Sequence, residues 1–370
     1  MRLRRPSGSA GRANSGHVET FRLNVARSTR AIAYKAAAAA VLNLKEALAS
    51  MNIQITSTGM YAPPRIETAE DLSSKVGKSA EWIVSRTGVS RRHVSDEPVE
   101  RMAAAAARRA LGSSLPPDLL IYASTTARQL IPDTSVFVAR ELGLEGISCF
   151  TIHATCLSFL VGLNTAAAFI AARAYRKILI VSAEMGSVAR DFAEPESAVL
   201  LGDGAGAAVV QPTPTGEGSK LLGYVAAAFP HAASFAEFRG SGVRRHPNNA
   251  DTRPDDNLFH MNGTRLFRLG VRHVGPVLDR LFEQTGLGAS DIDLVVPHQP
   301  SKPGIQALAR WGFPPERVVD IVGEYGNCIA ASMPMALATA DADGRLRRGS
   351  RVLLIGTGAG VSIVAAILEW

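Results

Sequence analysis

Cysteine, histidine and asparagine stand at three comparable places in this chain, and together these residue types can carry covalent catalysis. Cys156 precedes the apolar run LSFLVGLNTAAAFIAARA, whose length and composition predict a helix. A thiol at the start of a helix faces free N–H groups and the positive end of the helix dipole, and both favour the nucleophilic thiolate. The position alone leaves a second interpretation open, because cysteine is also a common buried filler.

His298 and Asn327 come at similar junctions. His298 ends the apolar segment LVVPH, and strand ends are where α/β proteins present catalytic side chains; a hydrogen-bonded core histidine is the alternative. Asn327 follows a glycine and precedes the run IAASMPMALATA, so a helix N-cap is the alternative there. His153 is expected to belong to a strand and to point elsewhere, and Cys149 and Cys328 are expected to pack.

A repeated pattern explains why these junctions match. Thirty residues separate Thr126 from Cys156, and 29 separate His298 from Asn327. The segments LLGDGAGAAVV and LIGTGAGVSIV, 154 residues apart, both carry G-x-G-A-G and lead into an apolar run. From Met51 onward, short β-rich runs alternate with longer helical ones, which is typical of mixed sheets covered by helices.

The sequence therefore predicts an α/β fold built from two duplicated halves packed against each other. We expect residues 51–215 to form the half with the cysteine and residues 216–370 to form the half with the histidine and asparagine. Residues 1–50 hold nine Lys or Arg and two Asp or Glu, and we expect this basic extension to be dispensable for folding and turnover.

Composition excludes several classes of function. The chain is 46% hydrophobic and 20% charged, which suits a large core, and the net charge of +7 lies wholly in residues 1–50 because the rest balances at 31 against 31. A nucleic-acid-binding stripe on the folded body is therefore not predicted. Three cysteines indicate a reducing, cytoplasmic compartment, and neither a metal-ligand motif nor an 18-residue apolar run is present.

Four sequence blocks resemble those of the β-ketoacyl-ACP synthase III family in the thiolase superfamily. In chain order they are SAEWIVSRTGVSRRH, LLGDGAGAAVV, VPHQ and YGNCIAASMPMAL, and the resemblance runs from Met51 to Trp370. It implies a thiolase-like fold with duplicated mixed-sheet halves in an α-β-α-β-α layered arrangement. It also implies a homodimer formed through the N-terminal half.

The same resemblance implies a mechanism. Cys156 would attack an acyl-CoA thioester and hold the acyl group, with its own backbone N–H and that of Ala359, which replaces a family glycine, as an oxyanion hole. His298 and Asn327 would bind the thioester carbonyl of malonyl-ACP (or malonyl-CoA) and stabilise the enolate left by decarboxylation. The carbanion would attack the acyl-enzyme to give a 3-ketoacyl product, in fatty acid initiation or a related secondary-metabolite step. The CoA thioester is a substrate, and no cofactor is implied.

Other residues take their expected roles from the resemblance as well. Trp82 and Arg86 would contact the CoA adenine, and Arg268 would lie near the acyl-carrier protein. Ile131 and Thr357 stand where aromatic residues often wall or gate the acyl pocket, so the starter chain is left open. Two further departures are HQPS in place of the usual HQAN, and a segment FAEPESAV without the arginine that often clamps the adenine.

Four other interpretations compete with this one. Papain-like hydrolysis uses the same Cys, His, Asn order but a different cysteine neighbourhood and no duplication. A thiolase would need a second cysteine in the C-terminal LLIGTGAGVSIV segment, which has none. A CoA-dependent acyltransferase acting on a non-malonyl acceptor stays open, as does a non-catalytic partner subunit, although the presence of all three candidate residues argues against the latter.

Overall fold

The computed structural model describes residues 51–370, so the predicted dispensable extension lies outside the described part of the chain. The described chain alternates strands and helices. The strands are β1 (Ile53–Tyr61), β2 (Arg65–Thr68), β3 (Arg91–Val94), β4 (Leu119–Ala123), β5 (Ser148–Ile152), β6 (Ile178–Met185), β7 (Asp203–Pro212), β8 (Lys220–Ala228), β9 (Ala236–Phe238), β10 (Phe259–Met261), β11 (Leu294–Pro297), β12 (Arg351–Gly358) and β13 (Ser362–Glu369). The α-helices are α1 (Ala69–Val76), α2 (Ala80–Thr87), α3 (Val99–Leu111), α4 (Thr134–Leu142), α5 (Ser158–Ala171), α6 (Pro195–Ala198), α7 (Gly263–Thr285), α8 (Lys302–Gln306), α9 (Val322–Tyr325) and α10 (Ser332–Ala342).

Two mixed sheets form the centre of the fold. The first has the strand order β1-β7-β6-β4-β5, and the second has the order β11-β12-β13-β8. In the first sheet β4 pairs in parallel with both β5 and β6, while β6–β7 and β7–β1 are antiparallel. Strands such as β4 are apolar along their whole length because helices cover both faces of the sheet.

Helices fill three layers around the two sheets. Helices α5 and α10 lie between the sheets, where Leu160 and Leu337 share one core cluster with Ile121 of the first sheet and Leu354 of the second. Helix α3 packs on the outer face of the first sheet, and α7 packs on the outer face of the second. The α-β-α-β-α arrangement expected from the sequence is thus confirmed.

The two sheets repeat one topology. Strands β11, β12, β13 and β8 follow the same order and directions as β4, β6, β7 and β1. A single parallel bridge between Val295 and Val318 occupies the place that β5 takes beside β4. The duplicated mixed-sheet halves are confirmed, and the predicted boundary at residue 215 falls in the connection between β7 and β8.

The repeated glycine motif has different structural roles in the two halves. In the first half Gly204 and Gly206 lie inside β7, where an added Cβ would meet Met335 of α10 at 2.6 Å in both cases. In the second half Gly360 lies in the turn between β12 and β13, with a φ of 110°. Gly204 and Gly206 allow the central helix α10 to approach the sheet, whereas Gly360 allows the chain to reverse direction between β12 and β13.

Within residues 51–370, no helix combines the length and apolar character that crossing a lipid bilayer requires.

Candidate active site

A tight turn between β5 and α5 carries Cys156. The N–H of Leu157 donates to the carbonyl of Ala154 at 3.1 Å, and the N–H of Ser158 donates to the carbonyl of Thr155 at 3.1 Å. The Ser158 hydroxyl also accepts from the N–H of Ala154 at 2.9 Å. Thr155 has a φ of 51°, which a β-branched residue adopts only when its surroundings enforce it. The turn thus presents Cys156 two residues before the helix begins.

Backbone donors surround the Cys156 sulfur, but they do not make it a thiolate. Burial raises the pKa of the Cys156 thiol to about 12, and the carboxylate of Glu184 acts in the same direction. Backbone N–H groups of Ala359 and of Cys156 itself lower the pKa by less. The expected thiolate is therefore wrong for the free protein, because desolvation of the charge outweighs the start of the helix. The predicted oxyanion donors do lie at the sulfur.

The end of β12 lets the catalytic segments approach one another. A Cβ added to Gly356 would lie 2.8 Å from Leu157 Cδ2 and 3.0 Å from His298 Cβ, so both side chains meet at this glycine. A Cβ added to Gly358 would lie 2.6 Å from Thr155 Oγ1. Both glycines face the central helical layer because strand side chains alternate. Glycine at these two positions brings His298 and the Cys156 turn to the same strand.

His298 follows β11 directly and is buried, with 3% of its surface exposed. Its backbone N–H donates to the carbonyl of Ile355 on β12 at 2.9 Å, which fixes the residue at the strand end. Burial lowers the pKa of His298 to about 4, and a smaller effect of the Ile329 backbone opposes it. Nδ1 is buried and has no hydrogen-bond partner among the described residues. The imidazole is therefore neutral near pH 7.

Asn327 is anchored by its backbone and oriented by its neighbour Ile329. Its N–H donates to the carbonyl of Leu200 at 2.7 Å, and its carbonyl accepts from Gly202 at 3.2 Å. Its Oδ1 accepts from the N–H of Ile329 at 2.9 Å, so the amide Nδ2 is left to donate. Ile329 has a φ of 47°, and its backbone acts on both Asn327 and His298. This one strained residue links two of the predicted catalytic groups.

The HQPS departure preserves the local structure. Ser301 caps α8, because its hydroxyl accepts from the N–H of Gly304 at 3.3 Å. Gln299 is fully buried and completely hydrogen-bonded: Nε2 donates to the carbonyls of Pro297 and Val319, and Oε1 accepts from Ile321. Gln299 thus clamps the strand end that carries His298. Sequence reasoning gave it no role, although its place beside the histidine was a signal.

Glu184 is the buried acid that sequence reasoning missed. It lies at the end of β6 with none of its surface exposed, and burial raises its pKa to about 7. Its oxygens accept from the backbone of Thr125 and Thr126 at 2.7 and 2.9 Å, and from the Thr126 hydroxyl at 2.6 Å. The available signal was an acidic residue at the end of the apolar strand RKILIVSAEMG.

The residues predicted to contact CoA lie on α2. Trp82 is partly buried, with the Lys78 ammonium 5.6 Å from its ring centre. Arg86 is exposed and forms an ion pair with Glu196 at 3.0 Å. Glu196 belongs to the segment that lacks the expected arginine. The segment without the expected arginine therefore supplies the ion-pair partner of Arg86.

The remaining predicted residues lie at separate places. Arg268 is exposed on the first half of α7. Ile131 is 85% exposed and follows β4 in the loop before α4, so within this chain it walls no acyl pocket. The Thr357 Cγ2 is 3.9 Å from a Cβ built on Gly270 of α7. Thr357 thus lies between β12 and α7, on the opposite face of the strand from Gly356.

Among residues 51–370 no group of three or more His, Cys, Asp or Glu side chains could hold a metal ion. What the site offers is a thiol, two backbone N–H donors at the sulfur, a neutral imidazole and an amide donor. This set suits acyl transfer with stabilisation of a developing oxyanion.

Most of the described chain is similar to proteins of one known family. Residues 150–228 match the family described as 3-oxoacyl-[acyl-carrier-protein (ACP)] synthase III, and residues 282–370 match its C-terminal part. The chain is 35% identical over 328 residues to the beta-ketoacyl-[acyl-carrier-protein] synthase III of Desulfitobacterium hafniense, an alignment that covers 86% of this chain and 98% of the relative. The enzyme of the same name from Nitratidesulfovibrio vulgaris is 36% identical over 321 residues, covering 84% and 97%.

Solved structures agree with the sequence relatives. The 3-oxoacyl-[acyl-carrier-protein] synthase III of Aquifex aeolicus superposes with a TM-score of 0.78 at 31% identity, covering 86% of this chain and all of that one. The corresponding structure from Thermus thermophilus has a TM-score of 0.77 at 35% identity, covering 85% and 98%. In both cases the shared region is nearly the whole of the solved protein.

Proposed function

Because the chain belongs to the 3-oxoacyl-[acyl-carrier-protein] synthase III family, we propose that it joins an acyl-CoA starter to malonyl-ACP by decarboxylative Claisen condensation, giving a 3-ketoacyl-ACP. Named relatives that align over nearly their whole length support this reaction. The observation that carries the proposal is the meeting of the Cys156 turn and His298 at Gly356, with Asn327 linked to His298 through Ile329.

In the first half-reaction Cys156 takes the acyl group. Its Sγ forms a bond to the thioester carbon, the bond from that carbon to the CoA sulfur breaks, and the thiol proton leaves with CoA. The backbone N–H groups of Cys156 and Ala359 stabilise the oxyanion that forms in between. Because the pKa of Cys156 is high, the proton must leave as the attack proceeds.

In the second half-reaction His298 and Asn327 act on malonyl-ACP. Both donate to the thioester carbonyl oxygen of the malonyl group, which becomes negative when the bond to the carboxylate breaks and CO₂ departs. The resulting carbanion attacks the acyl carbon on Cys156, and the bond from that carbon to Sγ breaks. The product is a 3-ketoacyl-ACP, and Cys156 recovers a proton. A neutral imidazole suits this role because it donates one hydrogen bond without carrying charge.

Labelling tests the first half-reaction. Purified protein should take up radiolabel from short acyl-CoA at Cys156, and Cys156→Ala should remove it because the nucleophile is gone. Cys149→Ala is the matched control and should keep the label. Label that survives Cys156→Ala would contradict the proposed intermediate.

Release of CO₂ from malonyl-ACP tests the second half-reaction. His298→Ala and Asn327→Ala should keep acylation but lower decarboxylation by about a hundredfold, because each removes an oxyanion donor. If both variants decarboxylate normally, transfer to a non-malonyl acceptor becomes the better explanation. The contact that orients the Asn327 amide argues for enolate chemistry instead, because it leaves Nδ2 free to donate.

CoA and the acyl-carrier protein would meet different parts of the surface. We place the adenine at Trp82 and Arg86, with Glu196 released from Arg86 when the nucleotide binds, and the carrier at Arg268 on α7. Support for this is the exposure of both arginines. A panel of starters of increasing length would establish the acyl group, which we propose that Ile131 of a second copy helps to select. Thr357, which lies on the α7 side of β12, is not part of this proposal. That the protein acts in the cytoplasm stays a prediction.

A homodimer completes the proposed enzyme. Strand β5 is an edge strand of the first sheet, and the adjacent loop exposes Leu130 and Ile131 at 77% and 85%. The Thr151 hydroxyl of β5 donates to the Asp133 carboxylate at 2.9 Å, which holds this loop beside the free edge. An unpaired edge flanked by exposed apolar residues is well suited to a second copy.

A further inference from the structure

We propose that Glu184 is a positioning residue of the catalytic centre, whose buried carboxylate holds the Asn327 turn against the loop after β4. No step of the proposed reaction uses this group. Its place in the fold nevertheless joins the loop after β4 to the turn that carries Asn327.

The hydrogen bonds of Glu184 come from two separate parts of the chain. The loop after β4 supplies two backbone N–H groups and one hydroxyl, from Thr125 and Thr126. The backbone of Ala330 supplies a further donor. Ala330 follows Ile329, the residue whose N–H orients the Asn327 amide. The carboxylate therefore joins the β4 loop to the turn that carries the proposed oxyanion donor.

A carboxylate suits this place better than an amide. Every identified partner of Glu184 is a donor, so each oxygen must accept. An amide in its place would direct an NH₂ group at some of those donors and leave buried groups unsatisfied. The geometry thus selects an acceptor-only side chain.

The charge of Glu184 also reaches the nucleophile. Its carboxylate raises the pKa of the Cys156 thiol, in the same direction as burial. The other titratable groups around this region are Tyr122 on β4, Asp133 before α4, Asp203 on β7 and Cys328 in the Asn327 turn. Among these, Glu184 disfavours ionisation of both Tyr122 and Cys328.

Alkylation of Cys156 by iodoacetamide tests the electrostatic part without any substrate. The rate, followed by mass spectrometry at pH 8.5, reports the thiolate fraction. Glu184→Gln should alkylate about tenfold faster, because removing the like charge lowers the thiol pKa by about one unit. Glu184→Asp keeps the charge and should alkylate near the wild-type rate. A Glu184→Gln rate equal to wild type would contradict an effect of the carboxylate on Cys156.

Two further variants guard against a folding artefact. Asp96→Asn removes an exposed carboxylate that pairs with Arg65 at the surface, and it should leave alkylation unchanged. If Glu184→Gln does not fold, Thr126→Val replaces it. Losing the Thr126 hydroxyl donor raises the pKa of Glu184, so fewer molecules carry its negative charge at pH 7.5. Alkylation of Cys156 at this pH should therefore rise about twofold or more. An unchanged rate in Thr126→Val would then contradict that effect.

Decarboxylation of malonyl-ACP tests the positioning part, which rests on the proposed function. Glu184→Gln and Glu184→Asp should both lower its kcat by about tenfold or more while Cys156 still accepts an acyl group, because both disturb the Asn327 turn. Normal decarboxylation in both variants would overturn the positioning role. A wild-type protein that never decarboxylates malonyl-ACP would instead contradict the proposed function, and the alkylation result would stand separately.

Discussion

At the scale of single residues, burial decides the protonation of the candidate catalytic groups. Burial raises the pKa of Cys156 to about 12 and lowers the pKa of His298 to about 4, so both are neutral near pH 7. The same cause acts in opposite directions because a low-dielectric site disfavours the anion of one and the cation of the other. The free site therefore stores no charge on either group, and charge arises only as substrate reacts.

The neutral state of His298 has a consequence for stability. The unfolded histidine titrates near pH 6.5 and the folded one near pH 4, so the unfolded chain binds the extra proton between these values. Stability from this residue is present above pH 6.5 and is lost as the pH falls towards 4. Between pH 7 and pH 4.5 wild type should lose about 2 kcal/mol more free energy of unfolding than His298→Gln. Urea unfolding at both pH values measures this, and identical losses in the two proteins would contradict a buried neutral imidazole.

At the scale of elements, the short connections matter more than the long helices. Cys156 stands on the β5–α5 turn, His298 directly follows β11, and Asn327 stands in the connection before α10. The first two segments converge because β12 carries glycine where they come closest, and the Asn327 connection reaches His298 through Ile329. Thr155 and Ile329, both β-branched and both at positive φ, flank two of the candidate catalytic residues. Strain of this kind persists where the surrounding fold imposes it.

The close approach at β12 can be tested by adding one methyl group. Gly356→Ala should lower malonyl-ACP decarboxylation by about tenfold or more, because the new Cβ would meet His298 Cβ at 3.0 Å and displace the imidazole. In Gly358→Ala the new Cβ would meet the Thr155 hydroxyl beside Cys156, so this variant should instead slow acylation of Cys156. The matched control is Gly242→Ala, which has open space around the new Cβ and should behave as wild type. Normal decarboxylation in Gly356→Ala would show that His298 tolerates displacement.

At the scale of the whole molecule, the first sheet ends in a free edge and the second copy is expected there. Leu130→Asp should shift the protein from dimer to monomer, because a charge would be buried in the proposed interface. Light scattering after gel filtration measures the mass. Val243→Asp, at a residue 94% exposed in the second half, should leave the dimer intact. A Leu130→Asp protein that remains dimeric would show that the dimer interface lies elsewhere.

The folded body is expected to function without the basic extension. Met51 exchanges two backbone hydrogen bonds of 2.9 Å with Leu221, which ties the start of the described chain to β8. A chain that begins at Met51 should therefore fold and turn over normally, as circular dichroism and the condensation assay would measure. Insolubility or loss of turnover would show that residues 1–50 take part in the fold.

Local signals in the sequence determined the fold class and the candidate catalytic residues. Apolar periodicity and glycine spacing depend on neighbouring positions, so they predicted the duplicated sheets and the equivalent junctions of Cys156, His298 and Asn327 before any contact was known. Tertiary structure alone decided the rest: the protonation of Cys156, the pairing of Arg86 with Glu196, and the buried contacts of Glu184. Each of these depends on residues far away in the chain, which no local sequence pattern identifies.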